Sequence, residues 1–401
     1  MKYRISGVHV FDGFDMQPGT RDVDVDGSRI VATRKEASEH VIDFSHVPDA
    51  TVLPGLIDAH LHFAIGGADQ AEKANHAALV ALRMAHSAHV NLRAGITTVR
   101  DMGAKEHIDV RFKEAVALGF VPSPRYLVAG KPIIATGGHC TYMGRQVDGP
   151  AEARKATREQ LTAGVDWVKM MVTGGIMTRG TDPRTQQLFD DEIAAVVETA
   201  HAAGKPVAVH CQGGPAVVAT IKAGVDSLEH GMWLDDEAIE LMLKNDTAYV
   251  PTLSAFYLIA EGEAIEGVAP PEWAVEKSRI ATEAHRSSFG RAVEAGVRIV
   301  AGTDYKHGSL PFELSLMADW GMSNVDVLRS ATSRSADMLR LPNVGRISEG
   351  AEADLIVVAG DPTRDIRALS DVEFVVQGGK IVFDKRTFGA HVSFQQQEVV
   401  R

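Results

Sequence analysis

The stretch AGVDWVKMMVTGG, residues 163–175, joins a helix-ending glycine to a short apolar run that carries one lysine. Gly164 follows an Ala-rich helical segment, where a residue without Cβ readily takes the positive φ that ends a helix. The run VDWVKMMV is short and apolar on both faces, as a parallel strand covered on both sides is. The same unit recurs along the chain. Ala94-Gly95 precedes ITTVRD, Ala203-Gly204 precedes PVAVHC, Ala223-Gly224 precedes DSLEHG, and Ala295-Gly296 precedes RIVAGTD. PRYLVAG at 124–130 and AYVPTL at 248–253 fit as two more strands, and TVLPGLIDAHLHF at 51–63 as the first. Eight strands separated by helical segments predict an α/β fold, a (β/α)8 TIM barrel, over residues 53–344.

The flanks follow a different rule. RISGVHVFDG and VDVDGSRIVAT near the N-terminus, and ADLIVVAG and EFVVQGGKIVFD near the C-terminus, alternate with the period of a strand. Asp26-Gly27 marks a hairpin turn. Neither flank could bury an apolar face alone. Residues 1–52 and 345–401 are therefore expected to pack together as one small β-sandwich domain. The closing residues, FQQQEVVR at 394–401, are expected to be poorly ordered.

Composition narrows the function. The chain has 401 residues and a net charge of −12, from 41 Lys+Arg against 53 Asp+Glu. An acidic surface argues against nucleic acid and anionic membranes as partners. Two cysteines, Cys140 and Cys211, are too few for a disulfide framework and point to a reducing compartment. The N-terminus opens directly into a strand pattern without a leader-like apolar segment, and no run of about 18 apolar residues suggests a membrane span. A soluble, cytoplasmic enzyme of small molecules is the expectation.

Counting from each glycine cap places the polar residues. Lys169 lies five residues after Gly164, His210 six after Gly204, His230 six after Gly224, and Asp304 eight after Gly296. His60 and His62 alternate at the end of the first strand, so their side chains share a face. Each alone has an ordinary explanation. His210 would fit a satisfied core histidine, and Asp304 after Gly-Thr a helix N-cap. Together they converge on the strand ends where barrel enzymes keep their chemistry. Neutral imidazoles with a carboxylate suit a transition metal such as zinc. A buried lysine beside a metal has a lowered pKa. Its free amine can take up carbon dioxide as a carbamate, an anionic donor able to bridge two metals about 3.5–4 Å apart.

PGLIDAHLHF, the strand-end Lys169, VAVHCQG, SLEHG and AGTD resemble the amidohydrolase superfamily of metal-dependent hydrolases, in the type with a binuclear centre and a carboxylated lysine. TGGH at 136–139, VKMMVTGGIMTRGTDP at 168–183 and DSLEHGMWLDDE at 226–237 look like its prolidase-like and imidazolonepropionase-like members. The resemblance implies two divalent metals, best zinc. His60, His62 and Asp304 would hold one, His210 and His230 the other, and Lys169, as N6-carboxylysine, both. It implies hydrolysis of an amide, peptide-like or in an N-acyl amino acid, by a metal-bridging hydroxide with Asp304 as general base and acid. A carbamate, urea, lactam or ester would suit the same centre, and a non-catalytic scaffold is a further alternative. It also implies a homo-oligomer, often an octamer in the prolidase-like group.

The loops supply the remaining candidates. His139 follows two glycines and is expected to hydrogen-bond the carbonyl or the developing oxyanion. Tyr142 is a second candidate for that role. Arg145, Arg179, Lys306 and His307 lie on strand-end loops, where one could grip a substrate carboxylate. Met170-Met171 reads as core.

Overall fold

The computed structural model describes residues 2–32, 40–65, 76–264 and 267–388. The tail at 394–401 lies outside them. The fold is mixed α/β. Strand Leu56–Leu61 pairs in parallel with Ile96–Asp101, and that strand with Arg125–Val128. Val168–Met171, Val207–Cys211, Ser227–His230 and Ala248–Val250 form a second parallel series. The series meet at Val128, whose carbonyl accepts from the amides of Asp166 (2.9 Å) and Trp167 (3.2 Å). At the far side Tyr249 pairs with Ile299, and the Ala301 carbonyl accepts from the Ala59 amide at 3.0 Å. All eight expected runs thus lie side by side. All five Ala-Gly pairs turn through a positive φ, from 71° at Gly204 to 91° at Gly164.

Two runs differ from expectation. The stretch 51–63 is two strands, not one. Thr51–Pro54 pairs with Leu355–Val358 in the flanking sheet, and Leu56–Leu61 joins the parallel series. Gly55 makes the crossing, where a Cβ would lie 2.1 Å from Thr97 Oγ1. The third run is broken after Val128. It resumes as Ile133–Ala135, which also pairs with Met170 and Met171. Pro132, which has no N–H to donate, and Gly130, at φ 69°, occupy the break. Arg145–Val147 then pairs with Ile133–Ala135, so residues 136–144 leave and return over the strand ends. Strands of three residues leave too little periodicity to be seen in the sequence.

The flanks form a single hydrogen-bonded sheet of eight strands drawn from both chain ends, where a two-layer sandwich was expected. Its side chains alternate. Tyr3, Ile5, Val25, Val52, Val357 and Phe374 pack into one small core. Leu53, Ile356, Val358 and Val375 turn the other way and join the main core with Leu56 and Ile96. The expected hairpin is present, with Asp26 paired to Arg29 and Gly27 at φ 61°.

Candidate metal centre

His60, His62, Lys169, His210, His230 and Asp304 line one cavity of about 140 Å³, together with His139 and Tyr142. His60, His62, His210, His230 and Asp304 sit at or just beyond the carboxyl ends of parallel runs, and Lys169 lies within its short strand Val168–Met171.

Hydrogen bonds fix which ring nitrogen of each histidine is available. His60 Nδ1 donates to Glu229 Oε2 at 2.7 Å, and His62 Nδ1 to the Gly103 carbonyl at 2.9 Å. His230 Nδ1 meets Thr252 Oγ1 at 2.8 Å, and that hydroxyl gives its own proton to the Pro251 carbonyl at 2.7 Å. His210 uses its other nitrogen, Nε2, toward the Gly174 carbonyl at 3.1 Å. Those bonds leave Nε2 of His60, His62 and His230 and Nδ1 of His210 as the nitrogens available to a metal. Burial lowers His62 to about 4 and holds His210 and His230 well below the ordinary imidazole value, so these rings are neutral near pH 7. Burial alone would raise Asp304, but the adjacent His60, His230 and His62 outweigh it and hold the carboxyl well below its usual range.

The spacing fits a cation. Asp304 Oδ1 lies 3.3 Å from His60 Nε2 and 3.4 Å from His62 Nε2. Ligands about 2.0–2.1 Å from a tetrahedral ion stand roughly 3.4 Å apart. Donor atoms of His60, His230 and Asp304 all lie within 4.8 Å of one another. Lys169 Nζ is buried without a hydrogen-bond partner among the described residues. Burial lowers its pKa to about 8, against the pull of Glu229 and Asp304. An orphaned amine amid four imidazole lone pairs is a donor set for divalent metal.

Residues 51–382 match the Amidohydrolase family. The chain belongs to that family. It is 30% identical to ochratoxinase from Aspergillus niger over 370 residues, which cover 82% of this chain and 75% of that one. Imidazolonepropionase from Salinispora tropica is 24% identical over 77% of this chain and 78% of its own. Among solved structures, a Xaa-Pro dipeptidase with methionine bound in its active site superposes with a TM-score of 0.87 and 34% identity, over 95% of this chain and 99% of that one.

Beyond its candidate ligands, this amidohydrolase buries a supporting layer that the sequence did not reveal. Glu229 is fully buried. Its Oε1 accepts from Arg100 Nη2 at 2.9 Å and from Ser227 Oγ at 2.5 Å, while Oε2 holds His60. Burial would raise Glu229, but Arg100, His60 and Lys169 bring it down to about 2. Arg100 in turn lies over the Trp167 ring, 4.3 Å from its centroid. Asp58 clasps the last run, accepting from Thr303 Oγ1 at 2.7 Å and Thr303 N at 3.1 Å. His230 and Asp304 both adopt left-handed backbone, at φ 76° and 62°. Such conformations cost about 1–3 kcal/mol each and persist where surrounding structure imposes them. Tyr249 does so for His230, donating to the carbonyls of His230 (3.0 Å) and Gly231 (3.1 Å).

The glycines after Lys169 make room for His139. A Cβ on Gly175 would sit 2.3 Å from its ring. The His139 ring stacks 4.4 Å from His210, with Nδ1 2.6 Å from Thr178 Oγ1 and Nε2 3.2 Å from Cys140 Sγ. The other basic candidates fall elsewhere. Arg179 is exposed and does not line the cavity. His307 packs its ring against Phe63 at 5.5 Å, outside the lining. Arg145 is paired with Glu159 at 2.8 Å, and Lys306 with Glu263 at 3.1 Å. Met170 is core as expected, but Met171 lines the cavity. Gln212, Phe256, Ile259 and Tyr305 complete the wall. Phe256, Ile259 and Tyr305 lie outside the motifs, and Gln212, within VAVHCQG, was given no role there; the fold alone brings the four together.

Proposed function

We propose that this amidohydrolase is a metal-dependent hydrolase of C–N bonds that cleaves an amide, peptide-like or in an N-acyl amino acid. The convergence of six donor side chains on one cavity, with their tautomers set by outer partners, carries the proposal. His60, His62 and Asp304 would hold one divalent ion, His210 and His230 a second, and Lys169 both, with zinc the best fit to imidazole and carboxylate donors. Lys169 serves as N6-carboxylysine. Its amine lone pair forms a bond to the carbon of carbon dioxide, and one N–H proton leaves to solvent.

Metal ions held there supply a Lewis acid for the substrate carbonyl and a water acidic enough to attack near pH 7. Asp304, kept ionised, receives the proton of the attacking water and passes it to the leaving nitrogen. His139 donates a hydrogen bond to the carbonyl oxygen as charge develops on it, with Tyr142 as a second donor on the same wall. We read the eight parallel runs as a closed (β/α)8 barrel over residues 53–344. The flanking sheet, 1–52 with 345–401, forms the smaller unit, although Thr51–Pro54 places its edge at Gly55.

The enzyme is further proposed to act in the cytoplasm; no helix among the described residues is long and apolar enough to cross a membrane. It is proposed to act as a homo-oligomer, as large as an octamer. Light scattering at micromolar concentration is expected to give several times the mass of one chain, and a monomer would refute it. Function is tested by screening zinc-loaded protein against dipeptides, N-acyl amino acids and aryl carbamates. Release of amine from the first two classes is expected, whereas turnover confined to carbamates or esters would move the substrate class.

A further inference from the structure

Gln212 stands one residue beyond strand Val207–Cys211, on the wall of the metal-site cavity. Its backbone is pinned. The amide donates to Thr173 Oγ1 at 3.1 Å, and the carbonyl accepts from the Trp233 amide at 3.1 Å. The side chain is only 1% exposed, and its Oε1 has no hydrogen-bond partner among the described residues. A buried carboxamide oxygen without a partner is costly, and native proteins rarely keep one without a reason.

Among the described residues no side chain of the surrounding wall hydrogen-bonds that oxygen. Met171, Ile176, Met177, Phe256 and Ile259 are apolar, and the Tyr305 hydroxyl, itself unpartnered, can donate but stands free. What is missing is an N–H donor that arrives from outside.

We propose that Gln212 is a substrate-binding residue that reads an N–H on the substrate beside the carbonyl under attack. It selects secondary amides over substrates that lack this hydrogen, namely tertiary amides of the imino-acid type and esters. The proposal rests on the hydrolase function given above and adds its substrate class. A site that hydrogen-bonds a substrate N–H discriminates strongly against the analogue without it, because the buried acceptor is then left unpaired. Replacing the acceptor by an apolar group removes the discrimination rather than the chemistry.

The test uses zinc-loaded full-length enzyme and matched N-acylglycine and N-acylsarcosine pairs, with acyl groups from acetyl to phenylacetyl. Wild-type kcat/KM is expected to favour the glycine member by about 30-fold or more. Gln212→Leu is expected to lose about 10- to 100-fold on the glycine member and less than about twofold on the sarcosine member. Equal turnover of both members by wild type, or equal losses in the variant, would overturn the assignment while leaving the hydrolase function standing. Hydrolysis of neither member of any pair would instead sink the amide function, and the Gln212 role with it. Should Gln212→Leu fail to fold, the wild-type ratio alone decides.

Discussion

Lys169 is buried in a strand between Val168 and Met170, with nothing among the described residues to pair its amine. An isolated buried ammonium is costly, so the group has to become neutral or be converted. In the proposed two-metal centre, removing it would leave two cations facing each other without an anion between them. Lys169→Ala is expected to retain one metal or fewer per chain by elemental analysis. It should lose more than about 100-fold in kcat/KM, a larger effect than losing an outer partner, and unfold in urea much as the metal-free wild type does. Glu229 acts one step further out. Glu229→Gln weakens the grip on His60, so zinc affinity measured by chelator competition should fall by about 10- to 100-fold. The same change leaves Arg100, fully buried, without its counter-charge, and breaking such a pair costs about 3–5 kcal/mol in the metal-free protein. A variant that kept wild-type affinity and stability would remove Glu229 from the centre's support.

At the scale of elements, the buried Asp109 carboxyl ties helix Ile108–Ala117 to Gly130, and the buried Asp101 carboxyl joins its own strand to the segment after Leu61. Asp109 Oδ2 accepts from the Gly130 amide at 2.7 Å. Asp101 accepts from the amides of Phe63 (2.9 Å) and Gly103 (3.0 Å). Burial first, and then the charge of Asp101, push Asp109 up to about 8. The folded protein therefore keeps a proton on Asp109 that the unfolded chain loses above the ordinary aspartate value of 3.8. Stability should then fall as pH rises from about 4 to about 8, by at most ~1.4 kcal/mol per pH unit from this group, and level off above. Asp109→Asn, which keeps the shape and removes the charge, should flatten that slope. Urea unfolding of metal-free protein at pH 5, 6, 7 and 8 tests this, and parallel slopes for variant and wild type would refute it. The elements differ in how far they were legible. The Ala-Gly caps and the runs after them declared themselves because a positive φ and a short apolar strand are local demands. The break at 129–132 did not. Whether PRYLVAG and the residues after it make one strand or two depends on how Asp109 and Val165 pack against Gly130, where a Cβ would lie 2.7 Å from Val165 Cγ1.

Across the whole molecule, the two chain ends share one sheet and also meet turn to turn. The turn Gly378-Gly379 packs on the turn at Gly27, and a Cβ on Gly379 would come 1.7 Å from the Gly27 carbonyl oxygen. Gly379 also holds φ 72°. Gly379→Ala therefore meets both a backbone clash and a strained conformation, and should cost about 2–4 kcal/mol. Denaturant unfolding measures this, and a change under about 0.5 kcal/mol would show that the turns can part. By itself the sequence determined the series of eight parallel runs, the pairing of the two β-rich ends, and the six donors at the strand ends. Hydrophobic period, glycine caps and distance from each cap are all written along the chain. Only the tertiary structure decided which nitrogen each histidine presents, that Glu229 and Arg100 stand behind His60, that Gln212 faces the cavity unpaired, and that Arg179 and His307 do not line it. Those outcomes depend on contacts between residues 22 to 245 positions apart, and side-chain packing in three dimensions leaves no period in the chain from which to read them.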